Sequence, residues 1–413
     1  MDEIMYGLLG KTLKHSYSPR IYQSMGIENY RLIEVDHSEL SQLLTTKQFK
    51  GLNVTIPYKE TVLEYLSSQD EISKMIGCVN TIVNRDNRLI GYNTDVLGFH
   101  ALLDYYNVDV RDKDILILGT GATSKTVEFA CRSRSAKSIS FASRNKDESR
   151  LLYSDLEDKY DIIVNTTPVG MFPNNSTVPL DITKFNRCNI VVDVVYNPLK
   201  TRLIIDAEAN NKRAYGGLYM LVAQAVYSYG LFTDTIVSSI QIDTEYTKLY
   251  KELINIVLIG LSGSGKTSIS NLFTYRIIVN IDHMIESIVN DSIENIFKNA
   301  GEAYFRNIEH KMVERYYKDT GLVIDCGGGI ILNDENMKLL KQNGIVFLVE
   351  RDLEKIILNY NRPLVNDEFD LTSMYNLRKE KYHYYADCII INNDTIDSCR
   401  NEIEEMLNEV VSN

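Results

Sequence analysis

The octapeptide Gly260-Leu261-Ser262-Gly263-Ser264-Gly265-Lys266-Thr267 constrains the fold of this chain more than any other feature of its sequence. It follows an apolar run at residues 254–259 that is typical of a buried strand, and it leads into a helical stretch. In this context the backbone N–H groups of the loop wrap phosphate, Lys266 reaches the terminal phosphates, and Thr267 ligates Mg²⁺. The sequence therefore predicts a P-loop α/β domain with a parallel sheet and a nucleotide site.

The chain before residue 254 alternates short apolar strands with helical stretches, which predicts βαβ units. A strand at 115–118 runs into a glycine-bearing turn, and strands at 138–142, 162–164 and 190–194 follow it. This is the pattern of a nucleotide-binding half-fold. The polar, charged stretch at 241–253 predicts a linker, and helices at 302–317 and 371–385 with strands at 323–326 and 345–349 complete the domain at 254–413.

Length and composition limit the classes of function that this chain can serve. Its 413 residues predict two or three domains, and 44% hydrophobic with 24% charged residues is typical of globular protein. The net charge of -12 argues against nucleic acid or anionic membrane as the main partner, so local Arg and Lys must hold any anionic substrate. Six scattered cysteines, an acidic start and no apolar run of about 18 residues predict a soluble cytoplasmic protein without a zinc site.

The turn Gly119-Thr120-Gly121-Ala122 lies where a strand meets a helix, so a pyrophosphate can approach the helix N-terminus there. The next strand ends in Ser143-Arg144-Asn145-Lys146, which offers two cations and no carboxylate. That ending favours the 2′-phosphate of NADP over the ribose hydroxyls of NAD. The alternative interpretation is a solvated basic turn.

Seven blocks of sequence occur in order before residue 240. They are HSYSP at 15–19, GLNVTIPYKE at 51–60, GCVNT at 77–81, GYNTD at 91–95, NTTPVGM at 165–171, DVVYNP at 193–198 and GGLYMLVAQA at 216–225. Together with the glycine turn they resemble the shikimate dehydrogenase family over nearly all of residues 1–240. The resemblance implies an α/β substrate domain at 1–100, completed by 216–240, and a Rossmann-type NADP domain at 101–215. It also implies reduction of 3-dehydroshikimate by NADPH.

The chemistry of a ketone reduction selects Lys59 and Asp95 from these blocks. A Lys ammonium paired with a carboxylate can stabilise the developing alkoxide and deliver a proton to it. An ordinary structural ion pair is the alternative. Ser16 and Ser18 suit a substrate carboxylate, although a capped turn before Pro19 would also explain them. By resemblance, the groups that line the substrate site are Asn53, Thr55, Asn80, Tyr196 and Gln224, and Gly217 joins the cofactor residues.

Residues 254–413 resemble the shikimate kinase family. The matching segments are Asn280-Ile281-Asp282 in place of its DxD, GEAYFR at 301–306, Gly327-Gly328-Gly329, Arg362-Pro363-Leu364 in its lid, and Arg378 followed by Tyr382. Arg306 and Arg378 can hold a carboxylate with forked hydrogen bonds, although a surface salt bridge would also explain Arg306. Asp282 would activate the attacking hydroxyl, and the lid Arg362 would stabilise the transferring phosphoryl group unless it is only a solvated loop cation. The three glycines would adjoin the substrate unless they are only a flexible turn.

Two departures from the kinase pattern stand out. Asn280 replaces the usual first acid and cannot supply charge to the water shell of Mg²⁺, and the segment after the P-loop is short by roughly three residues, about one helical turn. Asp325 is unusual in the position before the glycines, and we hypothesise that it partly compensates near the metal for the missing acid at position 280. We therefore predict a bifunctional enzyme using NADP, ATP and Mg²⁺. The alternatives are an impaired kinase domain that serves as a nucleotide-binding module, and a quinate/shikimate dehydrogenase that uses NAD.

Overall fold

The computed structural model describes residues 6–14, 16–145, 150–356 and 371–412. The predicted site residues Lys146 and Arg362 lie outside these described ranges. Two compact units divide the chain, an N-unit formed by Met1–Asn197 with Asp206–Leu249 and a C-unit formed by Pro198–Ile205 with Tyr250–Asn413. Both units contain parallel sheets with helices, so the predicted α/β fold class is confirmed.

The first sheet of the N-unit has the strand order β2-β1-β3-β5-β6-β4. Its strands are β1 (Tyr6–Gly10), β2 (Tyr30–Glu34), β3 (Gly51–Val54), β4 (Ser68–Gln69), β5 (Thr81–Arg85) and β6 (Arg88–Tyr92). The helices within this stretch are α1 (Ser18–Ser24), α2 (His37–Thr46), α3 (Glu71–Ile76) and α4 (Thr94–Tyr105). β1 pairs with β2 and β3 in parallel, whereas β5 is antiparallel to β3 and β6. The ends of β3 and β6 therefore lead into the turn that carries Lys59 and into the start of α4.

The second sheet of the N-unit is parallel throughout, in the order β12-β11-β10-β7-β8-β9. Its strands are β7 (Asp114–Leu118), β8 (Ser138–Ser143), β9 (Arg150–Leu152), β10 (Ile162–Asn165), β11 (Ile190–Asp193) and β12 (Arg213–Gly216). The helices that follow β7, β11 and β12 are α5 (Ala122–Ser133), α6 (Arg202–Ala209) and α7 (Leu218–Thr233). The apolar side chains of β7 at 115–118 are fully buried, which explains why this strand was readable from sequence.

The C-unit contains a parallel sheet in the order β14-β15-β13-β16-β17. Its strands are β13 (Asn255–Ile259), β14 (Ile277–Asn280), β15 (Leu322–Asp325), β16 (Gly344–Glu350) and β17 (Cys388–Ile391). Its helices are α9 (Lys266–Ser270), α10 (Ile281–Val289), α11 (Ile293–Tyr316), α12 (Asp334–Leu340), α13 (Leu371–Tyr385) and α14 (Ile396–Ser412). α9 has only five residues, in keeping with the short segment after the P-loop.

Helix α8 (Ser239–Leu253) covers the segment 241–253 that the sequence predicts as a linker, and the boundary between the two units, after Leu249, falls within this helix. Charged residues dominate the composition of the segment, but its apolar residues recur at helical spacing. Ile242, Tyr246 and Leu249 are four and three positions apart, and all three are buried. Periodicity, rather than polarity, was the informative signal.

Residues 198–205 were predicted to belong to the NADP domain, but they group with the C-unit. There the backbone N–H of Lys200 donates to the carbonyl of Gln342 at 2.8 Å, and that of Leu199 to Asn343 Oδ1 at 3.0 Å. Among the helices in the described ranges, none is both long and apolar enough to cross a membrane.

Candidate functional site

Lys59 and Asp95 meet in the first sheet region of the N-unit, as the sequence predicted. Lys59 Nζ lies 2.5 Å from Asp95 Oδ2, and the two side chains are only 12% and 10% exposed. Asp95 belongs to the first turn of α4, where a carboxylate also interacts favourably with the helix dipole. The helix is started by Asn93, whose side chain accepts from the backbone N–H of Val96. The result is a largely buried ammonium held in one position.

Asn80 fixes the other side of this pair. Its Nδ2 donates to Asp95 Oδ1 at 2.9 Å and to Gln224 Oε1 at 3.3 Å, and its Oδ1 accepts from the backbone N–H of Thr94 at 2.7 Å. Gln224 extends from α7, so Asn80 links this helix to Asp95. The predicted residues Asn80 and Gln224 therefore lie together with the predicted catalytic pair.

Ser16, Ser18 and Tyr196 form a second group of predicted residues. The Ser16 hydroxyl donates to Ser18 Oγ at 3.2 Å, and the backbone N–H of Ser18 donates to Ser16 Oγ at 3.2 Å. Burial raises the pKa of Tyr196, and a hydrogen bond with Ser16 partly opposes that shift. Three hydroxyl groups of this kind suit a carboxylate or a polyol. Thr55 lies in the turn after β3, and its backbone N–H donates to Leu9 at 2.9 Å.

Protein groups surround the side chain of Asn53, which the sequence predicts to contact substrate. Its Oδ1 accepts from the hydroxyls of Tyr22 and Tyr30, both at 2.7 Å. Its Nδ2 donates to Ser228 Oγ at 2.9 Å and to Thr81 Oγ1 at 3.2 Å. Both ends of this buried amide therefore contact protein groups.

The turn after β7 has room for a phosphate group. Gly119 adopts φ 105°, and a Cβ there would lie 2.9 Å from Thr166 Oγ1, so both conformation and space require glycine. A Cβ at Gly121 would meet no atom within 4 Å, which leaves open space beside the N-terminus of α5 at Ala122. Backbone N–H groups at the start of a helix favour anions, so this geometry fits a pyrophosphate.

The described residues directly after β8 offer one exposed cation. Ser143 ends the strand and its Oγ accepts from the backbone N–H of Asn145 at 3.2 Å, while the Arg144 side chain is exposed. An exposed guanidinium can reach a phosphate without first breaking a buried ion pair. Gly217 precedes α7. Packing explains why this position is glycine, because a Cβ there would collide with the backbone of Val194.

The P-loop of the C-unit has a backbone that only glycine readily adopts. Gly260, Gly263 and Gly265 have φ values of 139°, 90° and 101°. Lys266 starts α9 and its ammonium donates to the carbonyls of Gly260 and Leu261 at 2.9 and 3.0 Å, so it folds back over the loop. Within the described ranges the buried Ser264 hydroxyl has no hydrogen-bond partner. Ser262 lies in the same loop, partly exposed.

Asp282, Arg306 and Arg378 converge on the three glycines after β15. A Cβ at Gly327 would lie 2.6 Å from Asp282 Oδ1, and one at Gly329 would collide with the Arg306 guanidinium. The carbonyl of Gly328 accepts from Arg378 Nη1 at 3.1 Å and from the Tyr382 hydroxyl at 2.5 Å. Burial raises the pKa of Asp282, and the charges of Lys266 and Arg306 oppose that rise. One carboxylate and two cations thus lie beside the glycines, and a small anionic polyol could use both kinds of group.

Sequence reasoning missed Glu309. Arg306 Nη1 donates to both oxygens of Glu309 at 3.0 Å, and Glu302 accepts from the Nε and Nη2 groups of the same guanidinium at 3.2 and 3.0 Å. Glu309 is fully buried, and this burial raises its pKa to about 7 although Arg306 opposes the shift. Its spacing of three residues from Arg306 on a predicted helix was the available signal.

The donors near Thr267 fit a hard divalent cation. Thr267 and Asp325, which are hydrogen-bonded at 2.6 Å, offer hydroxyl and carboxylate oxygens, which are the ligands that Mg²⁺ prefers. In the described part of the chain, no group of three or more His, Cys, Asp or Glu side chains could hold a metal ion. A cation here would therefore depend on the phosphates of a bound nucleotide for some of its ligands.

Comparisons with known proteins agree with both halves of the chain. The family model of the shikimate dehydrogenase substrate binding domain matches residues 8–82, and that of shikimate kinase matches residues 262–412. Shikimate dehydrogenase (NADP(+)) from Clostridium beijerinckii is 39% identical over 240 residues, which cover 54% of this chain and 88% of that protein.

Two solved structures resemble the first part of the chain. Shikimate dehydrogenase 1 from Peptoclostridium difficile is 34% identical with a TM-score of 0.56, covering 60% of this chain and 97% of its own. Shikimate 5-dehydrogenase from Thermus thermophilus, solved in complex with NADP(H) and shikimate, is 27% identical with a TM-score of 0.54. That match covers 59% of this chain and 99% of its own.

Proposed function

The chain belongs to the shikimate dehydrogenase family, with a shikimate kinase domain fused after it, and on that premise we propose two successive reactions. The N-unit reduces 3-dehydroshikimate to shikimate with NADPH, and the C-unit phosphorylates the 3-hydroxyl of shikimate with ATP. The observation that carries the first activity is the buried pair of Lys59 and Asp95 fixed by Asn80. The convergence of Asp282, Arg306 and Arg378 on the glycines after β15 carries the second.

In the reduction, bound NADPH supplies a hydride to the carbonyl carbon of the substrate. The carbonyl oxygen then gains negative charge, which the Lys59 ammonium stabilises and neutralises by giving up a proton. Asp95 holds the ammonium in position, and Asn80 prevents that carboxylate from rotating because it binds the second oxygen. The proton is replaced from solvent, so the product is a hydroxyl group and Lys59 is charged again.

The substrate is held by groups that surround this pair. We assign Ser16 and Ser18 to its carboxylate, since two adjacent hydroxyls can donate to the two oxygens of that group. Asn80, Gln224, Thr55 and Tyr196 supply donors and acceptors for the ring hydroxyls. Asn53 acts only indirectly, through the tyrosine hydroxyls that it positions.

NADP is the cofactor that the N-unit fits best. Open space at Gly121 lies beside the start of α5 for the pyrophosphate, and the exposed Arg144 provides a cation for the 2′-phosphate. The similar proteins from Clostridium beijerinckii and Thermus thermophilus carry NADP in their names or complexes.

In the phosphorylation, the acceptor hydroxyl attacks the γ-phosphorus while the bond to the ADP oxygen breaks. Asp282 accepts the hydroxyl proton, and its raised pKa makes it a better proton acceptor than an ordinary aspartate. Arg306 and Arg378 hold the substrate carboxylate, and Lys266 must leave the carbonyls of Gly260 and Leu261 to contact phosphate. Thr267 would help to hold Mg²⁺, which would offset the charge of the phosphates, and we assign Arg362 to the transferring group.

The deciding experiment is a single reaction that starts from 3-dehydroshikimate, NADPH, ATP and Mg²⁺. The proposal expects NADPH loss and shikimate 3-phosphate formation together. Lys59→Ala should abolish only the reduction, and Lys266→Ala only the phosphorylation. Loss of both activities from either change would contradict two independent sites, and absent ADP release with shikimate as substrate would leave only the dehydrogenase.

We further propose that the chain acts on these small molecules in the cytoplasm. All six cysteines are unpaired, and burial raises the pKa of the thiols, which keeps them unreactive. This state is the one that a reducing compartment maintains.

A further inference from the structure

Asp325 occupies a special position in the sheet of the C-unit. It is the last residue of β15, which lies between β14 and the strand β13 that enters the P-loop. In the register of these strands Asp325 is opposite Asn280 on one side and Leu258 on the other. The carboxylate therefore stands at the edge of the sheet where the phosphate-binding loop begins.

The side-chain contacts of Asp325 connect it to the P-loop. Its Oδ2 accepts from the Thr267 hydroxyl at 2.6 Å and from Asn280 Nδ2 at 2.6 Å. Asp325 is only 3% exposed, whereas Thr267 is exposed. Both hydrogen bonds found in the described ranges fall on Oδ2, which leaves Oδ1 available to another ligand.

The hydrogen bond between Thr267 and the buried Asp325 carboxylate suggests a function for this acid. Burying a carboxylate costs free energy that two hydrogen bonds offset only in part, so an acid at this position needs a further reason. In P-loop proteins generally, Mg²⁺ is held by the Ser or Thr of the loop together with an aspartate at the end of a neighbouring strand. Thr267 and Asp325 have this relationship, whereas Asn280 offers only a neutral amide.

We propose that Asp325 supplies the carboxylate of the Mg²⁺ site in the C-unit, in place of an acid at position 280. The inference rests on the proposed ATP-dependent function and specifies its metal site. The exchange conserves charge, because one carboxylate and one amide still face each other across β14 and β15. Asn280 then positions the Asp325 carboxylate through its Nδ2 group and also starts α10 by accepting from the backbone N–H of His283 at 2.8 Å.

The test measures how much Mg²⁺ strengthens ADP binding to the full chain, by calorimetry with either Mg²⁺ or EDTA present. The ratio of the two dissociation constants is the metal increment. Asp325→Asn should lower this increment roughly tenfold, the usual size of a lost partner at a metal site. It should not weaken ADP binding in EDTA, because it removes negative charge near the phosphates. The matched control Asp319→Asn makes the same charge change at an exposed position and should leave the increment unchanged.

The exchanged variant, Asn280→Asp with Asp325→Asn, restores one acid and one amide. Its increment should return to within about threefold of the original value, since the Mg²⁺ shell again contains one carboxylate. If Asp325→Asn alone does not fold, this variant is the one that tests whether a carboxylate at this site binds Mg²⁺. An unchanged increment in Asp325→Asn would overturn the proposal, and so would an exchanged variant whose increment exceeds the original more than about tenfold.

Shikimate phosphorylation, measured separately, distinguishes this inference from the proposed function. A metal increment that depends on Asp325, found without phosphorylation of shikimate, would sustain the metal site and remove the kinase assignment. Phosphorylation of shikimate together with a metal increment that does not depend on Asp325 would sustain the kinase assignment and remove the proposed metal site. No increment in the original chain would overturn the metal site.

Discussion

Lys59 Nζ and Asp95 Oδ2 are 2.5 Å apart although 36 positions separate the two residues in the chain. The turn after β3 carries the ammonium, and the first turn of α4 carries the carboxylate. Because Asn80 binds the remaining carboxylate oxygen, Asp95 cannot turn away from Lys59 without breaking a second hydrogen bond. A largely buried pair held in this way is suited to proton transfer at a fixed place rather than to stability alone.

The first prediction concerns Asp95. Asp95→Asn removes the charge that holds Lys59 but keeps the size of the side chain, so shikimate oxidation should slow about 10² to 10⁴-fold in kcat. The dissociation constant for NADP should change less than about twofold, since the pair does not touch the cofactor turn. Steady-state kinetics and calorimetry measure the two quantities. Asp104→Asn, an exposed partner of Arg134, is the matched control, and equal losses in both variants would contradict a catalytic role for Asp95.

The second prediction separates Asn53 from Thr55. Asn53→Ala leaves the Tyr22 and Tyr30 hydroxyls buried without their acceptor, which should cost about 2–4 kcal/mol of stability. The KM for shikimate should stay nearly constant in the folded variant. Thr55→Ala should do the reverse and raise that KM roughly tenfold with little effect on thermal unfolding, as the loss of one hydrogen bond to substrate predicts. A stable Asn53→Ala protein with a raised KM for shikimate would instead indicate that Asn53 contacts substrate, as the sequence predicts.

The third prediction tests the choice of cofactor. Arg144→Ala should raise the KM for NADP about 10 to 100-fold, because a charge-assisted hydrogen bond to phosphate is lost. The KM for NAD should hardly change, since that cofactor has no 2′-phosphate. Arg132→Ala provides the control, as Arg132 is an exposed arginine of α5 that pairs with Glu128 at 2.8 Å. Equal weakening of NADP and NAD would show that Arg144 serves the fold.

Local sequence signals predicted strands of the second N-unit sheet and of the C-unit because these strands are short and mostly apolar. The strand at 115–118 and the turn after it are buried and sterically restricted, so few residue types suit these positions. The resemblance to the two families, together with the chemistry of each reaction, suggested Lys59, Asp95 and the arginines of the C-unit. What it could not supply was the set of protein contacts that each side chain makes, such as those of Asn53 with the Tyr22 and Tyr30 hydroxyls.

Contacts between residues far apart in the chain could not be predicted from local sequence patterns either. The contact of Asp325 with Thr267 depends on the order β14-β15-β13, which no local pattern encodes. The helix at Ser239–Leu253 was missed because its charged composition was weighted above its apolar spacing. Glu309 was missed because its burial depends on what packs against the helix, which the sequence does not show.

The fourth prediction concerns the pH dependence of stability in the C-unit. Glu309 has a pKa of about 7 in the folded protein, because its burial outweighs the charge of Arg306. In the unfolded chain its pKa is about 4.3, so the folded state binds more protons between these values. Stability should therefore fall as pH rises through this window, by up to about 4 kcal/mol at roughly 1.4 kcal/mol per pKa unit. Above pH 7 this contribution should be constant.

Glu309→Gln does not titrate, so its stability relative to the original chain should rise over the same window. Urea unfolding, monitored through the hydrogen exchange of peptides from α11, measures the stability of the C-unit separately from that of the N-unit. Glu314→Gln is the matched control, because Glu314 lies on the same helix with its side chain 56% exposed. A difference between the Glu309→Gln protein and the original chain that does not vary with pH would show that Arg306 keeps Glu309 ionised throughout. In that case the fully buried ion pair, rather than a neutral acid, would position the arginine that we assign to the substrate carboxylate.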